Sequence, residues 1–488
     1  METVAKNSSK KSDSEQNLKG SSDKGFIDEL SSYSMRHIPY LPHTDQDREE
    51  MFNFLKVKSI NDLLEGIPKE LRKFDLNIPQ GKSEIEIIES FKEIAEKNIP
   101  ASSQISFCGG GVYNRFIPSV VGEILSKGEF YTAYTPYQPE ASQGTLQAVF
   151  EFQTLICNLT NMDAANASVY DYATAAIESA LMACRVTKRK KILIAKNINP
   201  EAIAVCRTYC WGANLELEIV DFKDGTVDLD SLEKHLNENV ACLVISSPNF
   251  AGCIEPVSKI SEIVHKKGAL LVSGVDLIGL SILKSPGDSG VDISFGDGQA
   301  LGNFMNYGGP HVGFISCKKE FIRQLPGRIV GLTADMEGKR AFTLTLQTRE
   351  QHIRREHATS NICTNQSLNA LAVLIYLTYM GPYGLRGIAE ISLSRAHFLA
   401  SELEKIKTKY NKGCHLPFKA PFFNEFVLEI PISAAEFIEK LTKKNILPGL
   451  DLNGIHGYKT NQILVSVTEM NTMNQIKIFV QNVKEIFS

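Results

Sequence analysis

Five short apolar runs alternating with stretches of helical spacing limit what residues 101–381 can fold into. The runs are ILIA (192–195), LEIV (217–220), LVI (243–245), LLV (270–272) and ISF (293–295). Residues 200–210 and 256–267 have helical spacing between them. Strands this apolar are buried on both faces, so the alternation predicts a mainly parallel sheet covered by helices on each side. Ligands of such sheets bind beyond the carboxyl ends of the strands. Polar residues that follow a run directly are therefore the first place to look for chemistry.

The rest of the chain divides around this block. The first two dozen residues are rich in Ser, Lys, Asp and Glu, with almost no apolar content, and open a tail read as residues 1–32. They cannot offset the entropy of ordering, and a disordered tail is expected. That stretch lacks the apolar core of a secretory signal. Arg is absent before Arg36 and acidic residues are frequent, which argues against a mitochondrial transit peptide. Residues 33–100 read as an arm with helices, entered through Pro39 and Pro42, with helical spacing at 45–55 and 84–95. Residues 382–488 read as a small α+β domain, with strands at 425–430 and 462–467 and helices at 434–444 and 474–487.

With 43% hydrophobic residues in 488, the chain has ample material for a large core. Net charge is −4 with the signs interspersed, so no nucleic-acid footprint is present. No apolar run approaches the roughly 18 residues that span a bilayer, and 368–379 reads as a buried helix. The ten cysteines form no CxxC pair. Cys206 and Cys210 could share a helix face, but buried packing explains them better than a metal, and free thiols suit a reducing cytoplasm.

Three polar loops interrupt the apolar structure. FCGGG (107–111) permits close backbone approach to a ligand, or simply a tight turn. YTAYTPYQPEASQG (131–144) is a stiff aromatic loop, either packed surface or a binding face built on Tyr134 and Tyr137. NASVYDYAT (166–174) precedes a helix, where free N–H groups can hold an anion and Thr174 could cap. Asp276 follows the run at 270–275, placed either to cap a helix or to pair with a cofactor's pyridinium nitrogen. Beyond the last run comes GDGQALGNFMNYGGPHVGF, in which Gln299 stands and lysine is missing from 285 to 317. Lys284 precedes the run and Lys318 lies beyond the glycines. Glutamine has no amine with which to form an imine.

These stretches resemble the P-protein family of the glycine cleavage system, in particular the alpha chain of its two-chain form. The resemblance rests on RHIPYLPHTDQDREEM, the long run from YTPYQPEASQG to AAIESALM, GDGQALGNF with YGGPHVGF, QLPGRIVG, and TLQTREQHIRREHATSNICTNQSL. It implies an aspartate-aminotransferase-like fold, that of fold type I pyridoxal-phosphate enzymes. It further implies that a separate beta subunit binds pyridoxal phosphate covalently, since this length leaves no room for a fused second half. Glycine would be decarboxylated on that cofactor and its aminomethyl group passed to the lipoyl arm of the H-protein, beside the aminomethyltransferase and dihydrolipoyl dehydrogenase components. This chain would hold no catalytic lysine and no metal. It would contribute Tyr134, Tyr137, Arg354, Arg355, Asn361 and Thr364 to a shared site, and keep Asp276, Thr174 and Gln299 as vestiges of a lost cofactor site.

Two positions depart from the family pattern. Tyr172 stands where the family has glycine (YDYAT for YDGAT), which crowds any phosphate here, and His357 stands where lysine is usual. Two other readings stay open: a self-sufficient enzyme using an unusual lysine such as Lys284, and a scaffold that never touches substrate.

Overall fold

The structure, a computed structural model, describes residues 43–72, 78–79, 81–362, 364–407 and 413–488. The expected tail, the entry at Pro39 and Pro42, and Cys363 lie outside them. The chain divides into two units, residues 1–96 and 97–488, each described by itself.

In the first unit the helices Asp45–Leu55 and Glu84–Ala95 form with the bounds that the spacing indicates. Each starts at a capping box. Thr44 and Asp47 exchange bonds at one start, and Ser83 and Glu86 at the other, satisfying N–H groups that a helix start leaves bare.

The second unit is built on a seven-stranded sheet. Its strands are β1 (Ala164–Ala165), β2 (Lys191–Ala195), β3 (Glu216–Val220), β4 (Val240–Ser247), β5 (Leu270–Val275), β6 (Ile293–Asp297) and β7 (Gly313–Cys317), in the order β1-β7-β6-β5-β4-β2-β3. All five apolar runs are strands, and they pair in parallel. β7, which is not among those runs, lies antiparallel between β6 and β1.

Period-2 alternation assigns each side chain to a layer. Ile192 and Ile194 pack with α2 (Tyr172–Thr187) and α3 (Pro200–Gly212). Leu193 and Ala195 pack on the other face with Ile260 and Val264 of α4 (Val257–His265). Ala175, Ala176, Ala180 and Ala183 are fully buried on α2, and their small side chains let the helix lie close to the sheet. Cys206 and Cys210 are buried free thiols in this layer, and no cluster of three metal-ligating side chains occurs among the described residues.

α1 (Gln143–Thr160) and α5 (Ser367–Glu404) close a third cluster around Phe152, Val373 and Tyr376. α5 is long and apolar enough to cross a bilayer by length and composition. It is a packed helix, however, broken at Gly381 (φ 60°, ψ −177°) and Pro382, with Ala372, Val373 and Tyr376 fully buried. Its second half carries Ala396, Leu399 and Leu403 into a separate core.

That core belongs to the small α+β layer. Glu425–Glu429, Gln462–Ser466 and Leu450–Asp451 form an antiparallel sheet under the helices Ala434–Thr442 and Met473–Phe487. Ile105–Ser106 pairs in parallel with Ile446–Leu447, and Phe107 stacks on Phe479 at 4.5 Å. The start of FCGGG is thus part of the small layer, although its place along the chain suggests the large domain.

Candidate functional site

A cavity of about 470 Å³ opens at the carboxyl edge of the parallel strands. Ser246 reaches it from β4, Asp276 from the end of β5 and Asp297 from the end of β6. The start of α2 supplies Asp171 and Tyr172, and the small layer supplies Glu425. Asp276 and Gln299 lie where the strand rule puts them.

Gln299 is a clamp. Its Oε1 accepts from the Tyr113 N–H at 2.9 Å, and its Nε2 donates to the Tyr113 carbonyl and to the Asn303 carbonyl, each at 3.0 Å. At 2% exposure, neither amide atom is left for a ligand. Asp276 both lines the cavity and accepts from Gly279 N–H at 2.6 Å, so it also caps the short turn that follows β5.

The start of α2 departs from expectation. Asp171, not Thr174, is the cap, accepting from the Thr174 N–H at 2.8 Å. Thr174 is buried in the first turn and does not line the cavity. The Tyr172 N–H donates to Asp297 Oδ2 at 3.2 Å, while Asp297 Oδ1 accepts from Gln299 N–H at 2.7 Å. Tyr172 packs its ring 5.1 Å from that of Phe295 and its hydroxyl against Ser246. Burial pushes that phenol well up. Gly274 has no side chain because the Tyr172 hydroxyl lies 2.6 Å from where a Cβ would stand.

These residues do not fit pyridoxal phosphate. A helix start that would receive a phosphate is already occupied by two carboxylates, Asp171 and Asp297. The clamp holds the loop where a lysine would be needed, and no lysine or arginine among the described residues lines the cavity.

Glycines join the cavity to the small layer. Gly110 and Gly111 take φ of 79° and 118°, and at Gly109 a Cβ would collide with Ser466. Gly110 N–H and Tyr113 hydroxyl both donate to Glu425, each at 2.8 Å. Burial, with Asp276 adding its negative charge, pushes Glu425 up to about 7 from an ordinary 4.5. Between these values the folded chain keeps a proton that the unfolded chain has lost. Stability therefore falls as pH rises from about 4.5 to about 7, by up to about 3 kcal/mol for this group, and is level above. Glu425→Gln should remove that slope. In urea titrations it is expected to gain about 2 kcal/mol on wild type between pH 5 and pH 8. A difference independent of pH would refute the assignment.

The remaining residues named from the sequence lie outside the cavity. Tyr137 donates to Asn365 Oδ1 at 3.1 Å, under the Arg328 guanidinium, 3.7 Å from its ring centroid. Asn365 in turn donates to the Ala167 carbonyl, so the aromatic loop and the SNICTN turn form one surface. Tyr134 is 90% exposed on it. Arg354, Arg355, Asn361 and Thr364 are all exposed, and Arg354 donates to the Thr348 carbonyl. Sequence reasoning missed Asp171, Asp297, His311, Glu425 and Tyr113. Asp297 was legible by the rule that found Asp276, because it closes a strand.

The family model for the glycine cleavage system P-protein matches residues 36–483. A probable glycine dehydrogenase (decarboxylating) subunit 1 from Chloroherpeton thalassium is 44% identical over 92% of this chain and 100% of its own length. A crystal structure of glycine decarboxylase (P-protein) of the glycine cleavage system, in inhibitor-bound form, superposes with a TM-score of 0.84 at 39% identity, covering 92% of this chain and 100% of that one. Glutamate decarboxylase from Lactobacillus brevis, 12% identical, shares the fold with a TM-score of 0.61 over 86% of this chain and 96% of its own. The architecture is that of fold type I pyridoxal-phosphate enzymes, and the chain belongs to the glycine cleavage system P-protein family.

Proposed function

We propose that this chain is the lysine-less subunit of a two-chain glycine decarboxylase. The observation that carries this is Gln299, clamped on Tyr113 in the loop where a Schiff-base lysine would stand, beside a cavity with no lysine among the described residues of its walls. The relatives' designation as subunit 1 supports a second subunit, beta, which holds the cofactor and supplies its electron-sink chemistry. Carbon dioxide leaves glycine there, and the aminomethyl group goes to the lipoyl arm of the H-protein, upstream of the aminomethyltransferase and dihydrolipoyl dehydrogenase. The assembly is an α2β2 heterotetramer in the cytoplasm, in keeping with free thiols at every described cysteine. Tyr134, Tyr137, Arg354, Arg355, Asn361 and Thr364 are this chain's contribution to the beta subunit's site. The exposure of Tyr134, Arg354, Arg355, Asn361 and Thr364, and the bond from Tyr137 to Asn365 of the SNICTN turn, support that role.

The self-sufficient alternative loses ground on geometry. Lys284 is bonded to Ser258 at 3.2 Å and does not line the cavity, and Lys318 is paired with Asp292.

The test is reconstitution. The purified chain mixed with pyridoxal phosphate should show no imine absorbance and release no carbon dioxide from glycine. With lipoylated H-protein present in both arms as acceptor of the aminomethyl group, both should appear once the beta subunit is added. Turnover by this chain alone, or a pyridoxyl-lysine found in it after borohydride reduction, would sink the reading. In the assembled enzyme, unchanged turnover in both Tyr134→Phe and Tyr137→Phe would make the aromatic loop a scaffold.

A further inference from the structure

We propose that Arg328 is a positioning residue for the decarboxylase reaction, fixing the ring and hydroxyl of Tyr137 where the beta subunit's site uses them. This rests on the proposed role of Tyr137 in that site, and names what holds the tyrosine there.

Arg328 lies in QLPGRIVG, and three carbonyls of that stretch anchor its backbone. Pro326 accepts from Asn166 Nδ2 at 3.0 Å, Gly327 from Arg349 Nη2 at 3.0 Å, and Arg328 from the Ala167 N–H at 2.8 Å. Gly327 turns the chain at a φ of 81°, and Asn166 Nδ2 lies 3.1 Å from where a Cβ would stand. The side chain of Arg328 therefore leaves a fixed turn, just before the hairpin of Ile329–Ala334 and Arg340–Thr345.

From there the contacts close a circuit. The Arg328 guanidinium lies over the Tyr137 ring, 3.7 Å from its centroid. The Tyr137 hydroxyl donates to Asn365 Oδ1 at 3.1 Å, and Asn365 Nδ2 donates to the Ala167 carbonyl at 3.0 Å. The Ala167 N–H then returns to the Arg328 carbonyl. Ser367 Oγ also donates to Asn365 Oδ1, at 3.1 Å. A closed circuit over-determines each member, so Tyr137 cannot swing without giving up the cation or the hydrogen bond. A site residue held in this way is pre-organised for its task.

Charge holds the guanidinium as well. Its Nε lies 3.7 Å from Glu350 Oε2, with side-chain exposures of 18% and 15%. Glu350 is shared with His352, whose Nδ1 is 3.6 Å away, and it acts on Arg349 too. Arg328 Nε and Nη1 are buried without a hydrogen-bond partner. The ring face and the carboxylate are what compensates them, and a cation over a ring is held more strongly where it is desolvated. Glu350 directly precedes the helix Gln351–Arg354, so one guanidinium joins the aromatic loop to the segment that carries Arg354 and Arg355. With those nitrogens buried, Arg328 acts through Tyr137 and not on substrate.

The experiment is steady-state decarboxylation of glycine by the reconstituted enzyme with lipoylated H-protein, the content of assembled complex being measured by sedimentation. Arg328→Gln should raise KM for glycine about fivefold. Arg328→Lys keeps the charge but loses the planar face, and should raise it about twofold. A merely structural lesion lowers kcat in proportion to the complex lost and leaves KM where it was. In a Tyr137→Phe background neither change at Arg328 should raise KM further, because no hydroxyl remains to be placed. An unchanged KM in the folded variants, or the same rise with and without the Tyr137 hydroxyl, would overturn the proposal. Should Arg328→Gln fail to fold, the lysine variant decides by the same two measurements. If Tyr137→Phe by itself alters neither KM nor kcat, Tyr137 does not serve the shared site, and this inference fails with that assignment. If Tyr137→Phe is impaired and Arg328→Gln is not, this inference fails alone.

Discussion

Glu469→Ala should cost this chain about 3–5 kcal/mol of folding stability, the largest effect expected of any single substitution around the site. Arg115 is buried to 1% side-chain exposure, and Glu469 supplies its countercharge at 2.7 Å. Ser392 adds one bond at 2.9 Å, while Nε and Nη2 have no partner. Removing the carboxylate leaves a desolvated cation facing a hydroxyl. It also strips the Phe116 N–H of its acceptor at 2.8 Å. Chemical unfolding of wild type, Glu469→Ala and Glu469→Gln would measure this. The glutamine keeps an acceptor for Phe116 and should lose less. Equal stability of wild type and Glu469→Ala would show that Arg115 does not depend on this partner.

Gln299→Leu should cost about 2–4 kcal/mol, because three bonds vanish and the Tyr113 N–H, the Tyr113 carbonyl and the Asn303 carbonyl lose their partner. The same clamp makes a second outcome specific. Gln299→Lys should not create an imine with pyridoxal phosphate. Asp171 and Asp297 already occupy the helix start that a phosphate would need, and Tyr172 fills the space over Gly274. Absorbance spectra with and without borohydride decide it. An imine band in Gln299→Lys would mean that the lysine alone was lost. Its absence in a folded variant would mean that the whole site was remade.

Much of the architecture was legible because it is local. Runs such as 192–195 and 243–245 are buried on both faces, so their apolarity is continuous and needs no partner to be read. The helices at 45 and 84 announce themselves by a hydroxyl followed three residues later by a carboxylate. β7 was harder. Its sequence GFISC lies among glycines, and only pairing with β6 and β1 makes it a strand. The break in α5 at Gly381 and Pro382 is local too, but the helix resumes because Ala396, Leu399 and Leu403 have a second core to fill.

Within the site, Asp276 and Gln299 were found because each follows closely on a strand. Glu425 and Tyr113 carry no such signal. They are 312 residues apart, and nothing near either announces the bond between their side chains. Thr174 was a sound capping residue in the wrong place. Asp171 stands before the first helical residue, and an N-cap must lie outside the helix for its side chain to reach back to the third N–H.

By itself, then, the amino-acid order determined the parallel sheet, its family and the missing lysine, because apolar periodicity and long motif strings are properties of neighbours along the chain. Only the tertiary structure decided what replaced the lost site. Gln299 as a clamp, the two carboxylates on the helix start and the acidic walls of the cavity depend on side chains that folding alone brings within hydrogen-bond reach, and charge and desolvation act through space, not along sequence.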